Sequence, residues 1–321
     1  MEETMRFIGT AIADLEQGNV INGIYILRKK ELKETSGKKL FADLFFIDQT
    51  GEINGKIWDM EEEFFQTLTL NQLYYINAKV DSWKDKLQLN INRMRLADPD
   101  DQKKIGRFVP SAPLQAQDMM DELYSYANRI QHTEIKKLVL TVLERKQEKL
   151  MYYPAARSLH HSIRSGLLYH LVRMLRTAEK LKDVYTDINT DLLYAGALLH
   201  DLAKIGELES DVLGFSEYST EGQLLGHLLM GVKEIEIIGR ELGISDEVIL
   251  VLQHMIASHH YEPEYGSPKK PMFLEAELLH HIDMIDARVY DYENSLKNVE
   301  KGHFSEPVWS LDKRRLYKVN L

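Results

Sequence analysis

Imidazole and carboxylate are the groups through which this chain could do chemistry, and most of its 12 histidines fall in the second half. The adjacent pair His200-Asp201 is the most constrained. It lies in TDLLYAGALLHDLAKIG (Thr190–Gly206), where nearly every other position is apolar. That pattern predicts one buried helix, capped by Thr190 or Asp191 and closed by Gly206 in a left-handed conformation. A carboxylate inside such a helix is costly unless it is ion-paired, hydrogen-bonded or bound to a metal. Lys204 follows at i+3 from Asp201, so on its own the triplet reads as a buried ion pair beside a packed histidine. The other histidines argue for more. His170, His227, His254, His259, His260, His280 and His281 recur on successive apolar segments, with Asp283 close behind the last of them. Helices packed in a bundle converge such residues on a shared interior. The chain has no cysteine, so a metal could be held only by His and carboxylate, a donor set suited to Mn2+, Fe2+, Zn2+ or Co2+.

The elements that must carry these residues divide the 321-residue chain in two. From about residue 114 the spacing is helical, as in Gln117–Ala127 and Thr133–Lys149. His227 sits on a helix opened by the capping-box pattern Thr220–Gln223, and His254 on a helix over Ser245–Ser258. Asp283 sits on a helix with Pro271 as its first residue. The first hundred residues read differently. Runs rich in β-branched and aromatic residues, Gly23–Arg28, Leu40–Asp48, Ile53–Trp58, Leu73–Val80 and Leu87–Ile91, are separated by turn residues. The turns fall at Asp48–Gly51 and Trp83–Lys86, and one helix is expected over Asp59–Leu68. Five strands and a helix predict a small closed barrel, and Ala42–Asp59 resembles the strand pair of an OB-fold. The predicted layout is an all-β OB-fold barrel over residues 1–97, a Pro-punctuated linker over 98–113, an all-α bundle over 114–300 and a polar tail over 301–321. The tail, with Trp309 and Tyr317, packs back on the body or reaches a neighbour.

Composition narrows the function. The chain is 44% hydrophobic, has no apolar run of membrane-spanning length, and starts without a signal-peptide pattern, so the expectation is a cytoplasmic protein with no membrane partner. A net charge of −10 argues against a broad nucleic-acid surface but not against a local basic groove. Such a groove is suggested by Arg28, Lys29, Lys30, Lys33, Lys38 and Lys39 and by Lys79, Lys84, Lys86, Arg93 and Arg95. Tyr25, Phe46, Trp58, Tyr74, Tyr75 and Trp83 are interleaved with them. Most of these aromatics are expected in the barrel core, with Trp83, in a charged turn beside Lys84 and Lys86, the best candidate for an exposed stacking platform.

With these residues in view, the order His170, His200-Asp201, a later His and Asp283 resembles the HD-domain superfamily of metal-dependent phosphohydrolases. The further pair His227 and His259 resembles its two-metal subset. Barrel, linker and bundle together, through HHSIRSGLLYH (His160–His170), LLYAGALLHDLAK and VLQHMIASHH, resemble the YhaM family of 3′–5′ exoribonucleases over nearly the whole chain. The resemblance implies two divalent ions, Mn2+ foremost and Co2+, Fe2+ or Zn2+ as alternatives, held by His170, His200, Asp201, His227, His259 and Asp283. Asp201 would bridge them and Lys204 would act on the scissile phosphate. His160 and His161 would contact substrate phosphate or a further metal, and Trp83, Lys84 and Lys86 the single strand. His254 and His260 compete with or join His259. The implied substrate is single-stranded RNA, with single-stranded DNA as a second polymer, and a homo-oligomer is compatible with the pattern. Two rivals remain: a phosphohydrolase of nucleotides or cyclic dinucleotides, and an RNA-binding regulator without activity. His259–Pro268 resembles the HD-GYP cyclic-dinucleotide phosphodiesterases but lacks their Gly-Tyr-Pro.

Overall fold

A computed structural model describes residues 9–35, 37–84, 86–157 and 161–321, in two compact units that meet in sequence after Ser111. His160 lies outside the described residues.

The first unit is a five-stranded barrel. Its elements are β1 (Val20–Glu34), β2 (Leu40–Asp48), β3 (Gly51–Trp58), α1 (Glu62–Thr67), β4 (Gln72–Trp83) and β5 (Lys86–Leu96), followed by a single turn, α2 (Pro99–Gln102). The sheet closes in the order β1-β2-β3-β5-β4, antiparallel except where Asn54–Lys56 of β3 runs parallel to Gln88–Asn90 of β5. That order, with a helix between the third and fourth strands, is the OB-fold. Alternation explains it. Ile21, Leu27, Leu44, Phe46, Ile53, Ile76, Ala78, Val80, Leu89 and Ile91 all point inward and are buried. The Asp48–Gly51 turn forms as expected, with Asp48 accepting hydrogen bonds from the backbone of Thr50 and Gly51 at 2.7 and 3.1 Å. β1 runs well past the Gly23–Arg28 signal because its charged second half pairs with Leu40–Phe45 of β2.

The second unit is helical: α3 (Ala116–Arg129), α4 (Thr133–Leu150), α5 (Gly166–Val184), α6 (Thr190–Leu199), α7 (Lys204–Glu207), α8 (Thr220–Leu242), α9 (Asp246–Ser258) and α10 (Leu274–Leu296). A short hairpin, β6 (Leu208–Ser210) and β7 (Ser216–Tyr218), links α7 to α8. The centre is α6, whose residues from Leu193 to Leu199 are all buried. Gly196 lets its neighbours approach closely, since a Cβ there would lie 2.3 Å from Met255 Cε of α9 and 3.2 Å from Leu279 Cδ2 of α10. This contact draws the ends of α9 and α10 onto the end of α6. No helix among the described residues is long and apolar enough to cross a membrane.

Several local expectations are corrected. The Thr190–Gly206 segment is not one helix. Its i→i−4 bonding stops after His200, whose N–H still reaches Gly196 O, and the chain continues as tight turns, with Leu202 N–H bonded to Leu199 O and Lys204 N–H to Asp201 O, before α7 begins. Gly206 lies inside α7 and has no positive φ. Asn189 caps α6, accepting from Leu192 N at 3.2 Å, because Asp191 is engaged elsewhere. Its carboxylate takes the N–H groups of Gln131 and His132 at the entry to α4. Ser219, not the Thr220–Gln223 box, caps α8 through Gly222 N, and α10 starts at Leu274, three residues past Pro271. The last residues form a hairpin, β8 (Phe304–Val308) and β9 (Arg314–Tyr317), that packs on α10 and buries Leu311 and Leu316, while Trp309 and Tyr317 stay exposed.

Candidate metal centre and nucleic-acid interface

Five elements deliver side chains to one buried point: His170 from α5, His200 and Asp201 from the turn after α6, His227 from α8, His259 from the end of α9, and Asp283 from α10. His170, His200 and His259 have no exposed surface, and Asp201, His227 and Lys204 are also buried. Two sets of donors face the two oxygens of Asp201. Oδ2 lies 3.3 Å from His200 Nε2 and 3.7 Å from His170 Nε2, and Asp283 Oδ1 lies 3.4 Å from the same His170 nitrogen. Oδ1 lies 3.4 Å from His227 Nε2 and 3.7 Å from His259 Nε2. His260 joins this second set, its donor atom within 4.8 Å of those of His227 and His259.

The outward nitrogens explain why the inward ones point as they do. Nδ1 of His200 meets Ala197 O at 3.1 Å, that of His259 meets Ile256 O at 2.8 Å, and that of His260 meets Tyr265 O at 2.7 Å. Nδ1 of His170 and His227 meet carboxylates instead, Asp286 at 2.7 Å and Glu207 at 3.0 Å. Each acceptor demands the proton on Nδ1, so each neutral ring aims its Nε2 lone pair at the centre. Asp201 Oδ1, His227 Nε2 and His259 Nε2 are buried there without a hydrogen-bond partner, and His170 Nε2 faces His200 Nε2 at 3.3 Å. Lone pairs so arranged repel unless a cation lies among them. The residues present therefore fit divalent metal, with donors of the nitrogen–oxygen type.

The electrostatics agree. Burial works against ionisation of Asp201, but Lys204, with Nζ 2.7 Å from Oδ2, and His200 outweigh it and hold the carboxyl well below its usual range. Burial likewise opposes protonation of His170, yet hydrogen bonds to Asp283 and Asp286 raise it to about 10. The carboxylates that favour a proton on His170 Nε2 equally favour a divalent cation in that proton's place, with the ring then neutral. His259 is driven the other way by burial, with the like charge of His260 next, so it stays an uncharged donor.

His161 lies behind the centre with no exposed surface, its Nε2 2.8 Å from Asp286 Oδ2. His254 is not brought into the cluster; its Nε2 accepts from Met272 N at 3.0 Å. His280 bonds to His259 O and His281 pairs with Glu277 on the surface. No local motif marks Asp286, Glu207 or Arg173 as part of the site. Asp286 falls at i+3 from Asp283, the one spacing that could have flagged it as sharing that helix face.

On the barrel, Trp83 is 65% exposed and Trp58 48%, and both line a cavity of about 280 Å3 together with Lys56, Gln88 and Asn90. Lys84 and Lys86 are exposed in the β4–β5 turn, close to Trp83 in the chain. Tyr25, Phe46 and Tyr74 are core residues, as most of the aromatics were expected to be, but Trp58 is not. The first basic run is partly consumed. Lys30 Nζ bonds Leu68 O at 2.6 Å, closing the end of α1, and Lys33 pairs with Asp43 and Glu31.

The HD domain profile matches residues 167–288, the span that carries His170 through Asp283. The chain is 39% identical over 308 residues to the 3′-5′ exoribonuclease YhaM of Geobacillus sp. (strain WCH70), covering 96% of this chain and 94% of that protein. It is 37% identical to the protein of the same name from Oceanobacillus iheyensis, over 94% of this chain and 95% of the other. Among solved structures, the second OB-fold domain of replication protein A from Methanococcus maripaludis resembles 28% of this chain over 94% of its own length, at 15% identity and a TM-score of 0.24.

Proposed function

Since the chain belongs to the YhaM family of 3′–5′ exoribonucleases, we propose that it shortens single-stranded RNA from the 3′ end by hydrolysis at a centre of two divalent ions that would share Asp201 as a ligand. The observation that carries the reading is the division of the cluster by that one carboxylate, each oxygen facing its own set of imidazoles. His170, His200, Asp201 and Asp283 would hold one ion, and Asp201, His227, His259 and His260 the other. Manganese suits such a mixed set, with Co2+, Fe2+ and Zn2+ as alternatives. When bound there, such ions would supply a nucleophilic water near neutral pH and charge to neutralise the phosphate oxygens.

The protein's own part is positioning. Lys204, held protonated by Asp201 even against its burial, presents beside the Asp201 carboxylate a fixed charge that would neutralise the scissile phosphate. The exclusion of water around fully buried His170, His200 and His259 strengthens every such interaction. His161, held on Asp286, supports His170 and does not touch substrate. On the barrel, Trp58 and Trp83 stack unpaired bases while Lys56, Lys84 and Lys86 meet phosphates, a grip that tolerates any sequence.

A 5′-labelled single-stranded RNA, incubated with the protein and Mn2+, should give a ladder descending one nucleotide at a time from the 3′ end. An identical single-stranded DNA reports whether the sugar matters. Mononucleotide released from the labelled 5′ end overturns the polarity. Cleavage at full rate in excess chelator overturns the metal centre.

A further inference from the structure

The two histidines that depart from the common pattern lie on opposite sides of Asp201. His200, His259 and His260 rest their Nδ1 on main-chain carbonyls. His170 and His227 alone in the cluster rest theirs on carboxylates, and the two carboxylates come from different parts of the fold. We propose that Glu207 and Asp286 are positioning residues that set the affinity of the two ion sites separately, Glu207 through His227 and Asp286 through His170. The proposal rests on the two-ion reading above.

The Glu207 contact is built into the backbone. α8 is broken at Gly226, where φ is 70° and ψ 159°, a conformation open to glycine and strained for other residues. The break turns the next main-chain N–H out of the helical ladder, and Glu207 Oε1 accepts both His227 N–H and His227 Nδ1–H, each at 3.0 Å. One carboxylate oxygen thus holds the backbone and the ring of the same residue. Glu207 is itself fixed at the end of α7, where its carbonyl accepts from Ser219 N at 2.9 Å. Burial opposes its ionisation, but its bonds to His227 prevail and keep it charged.

Asp286 is built differently. Its Oδ2 takes His170 at 2.7 Å and His161 at 2.8 Å, while Oδ1 takes Arg173 Nε at 2.5 Å. The Arg173 guanidinium shares this carboxylate with both imidazoles, so Asp286 is fixed from two sides while it holds His170. Glu207 has no such cation hydrogen-bonded to it among the described residues. A carboxylate behind an imidazole ligand raises the ring's basicity and locks its tautomer, and its removal typically weakens metal by about 10–100-fold. The two sites are therefore expected to respond to different substitutions.

The test is a Mn2+ titration of the chelator-stripped full chain, bound metal being counted by equilibrium dialysis and free Mn2+ by its paramagnetic resonance signal. The parent should take up two ions. Glu207→Ala should weaken one of them by about 10–100-fold and leave the other, and Gly226→Ala should weaken that same ion by moving the N–H off Glu207. Asp286→Ala should weaken the other ion. Combining Glu207→Ala with His227→Ala should add little to His227→Ala alone, whereas adding Asp286→Ala should add its full effect. Glu207→Gln and Asp286→Asn keep side-chain volume and an acceptor oxygen, so they should lose less than the alanines and serve where an alanine variant fails to fold. Two ions in the parent with affinities unchanged in the variants, or with both ions weakened equally by either one, overturns the assignment. Fewer than two ions in the parent overturns the two-ion reading, and this assignment with it.

Discussion

At the scale of single residues, Asp201 and Lys204 bring opposite charges to the centre with separable roles. Asp201 offers both oxygens to the imidazole sets, so Asp201→Ala should abolish metal uptake and hydrolysis together. Lys204 hydrogen-bonds Asp201 Oδ2 at 2.7 Å, and a protonated amine is no ligand. Lys204→Ala should therefore retain its ions while kcat falls by about 10²–10³, the size of loss seen when one preorganised charge is removed. Metal content measured beside single-turnover rates checks both. A Lys204→Ala protein that turns over RNA like the parent would reduce Lys204 to a counter-ion.

Among the elements, the site depends on how tightly α6 meets its neighbours. A methyl at Gly196 would press on Met255 and Leu279, both in the core, so Gly196→Ala should cost about 1–3 kcal/mol of stability. Adding Met255→Ala should recover part of that loss in Tm, since it empties the space the methyl needs. A second tie joins α3, α5 and α6 through Glu179, which hydrogen-bonds Tyr194 and pairs with Arg129 and Lys182. The Tyr194 hydroxyl foremost, with Lys182 and Arg129, lowers Glu179 to about 2. The folded-state value lies below the unfolded one, so this stabilisation is full above about pH 4.5 and is lost as pH falls toward 2. Glu179→Gln should lower stability by about 1 kcal/mol near neutral pH, a figure discounted for partial exposure, and flatten the acid limb of Tm against pH.

For the whole molecule, barrel and bundle are separate compact units with separate cores, which makes their contributions separable by truncation. The segment 112–321 should still hydrolyse a small phosphodiester such as bis-p-nitrophenyl phosphate. Its affinity for a long single strand should fall, with a shallower dependence on salt because fewer phosphates are neutralised. In the full chain, Trp58→Ala and Trp83→Ala should each weaken binding of such a strand by about 1–3 kcal/mol and leave the small diester untouched. Filter binding across a salt series, run beside the diester assay, reads both. Unchanged affinity for long RNA after truncation would leave the barrel no role in holding the strand.

What the sequence determined by itself was set by local pattern and residue chemistry. Strand alternation and turn residues specify a barrel, because inward and outward positions differ by one residue and a slip would bury charge. The apolar run around His200-Asp201 specifies a buried segment, and the absence of cysteine limits any metal site to nitrogen and oxygen donors. Tertiary structure decided the rest. That α6 ends at Leu199 and tightens into a turn depends on the neighbours it meets, because propensity alone would carry the helix on to Gly206. Ser219 and Asn189 cap where stronger-looking patterns sit next to them, since each cap requires a free N–H at the right place in space. Asp286 and Glu207 find their histidines across 116 and 20 residues of chain, and His260 rather than His254 joins the cluster because α9 ends where it does. Contacts of that range are fixed by packing, to which a one-dimensional pattern is blind.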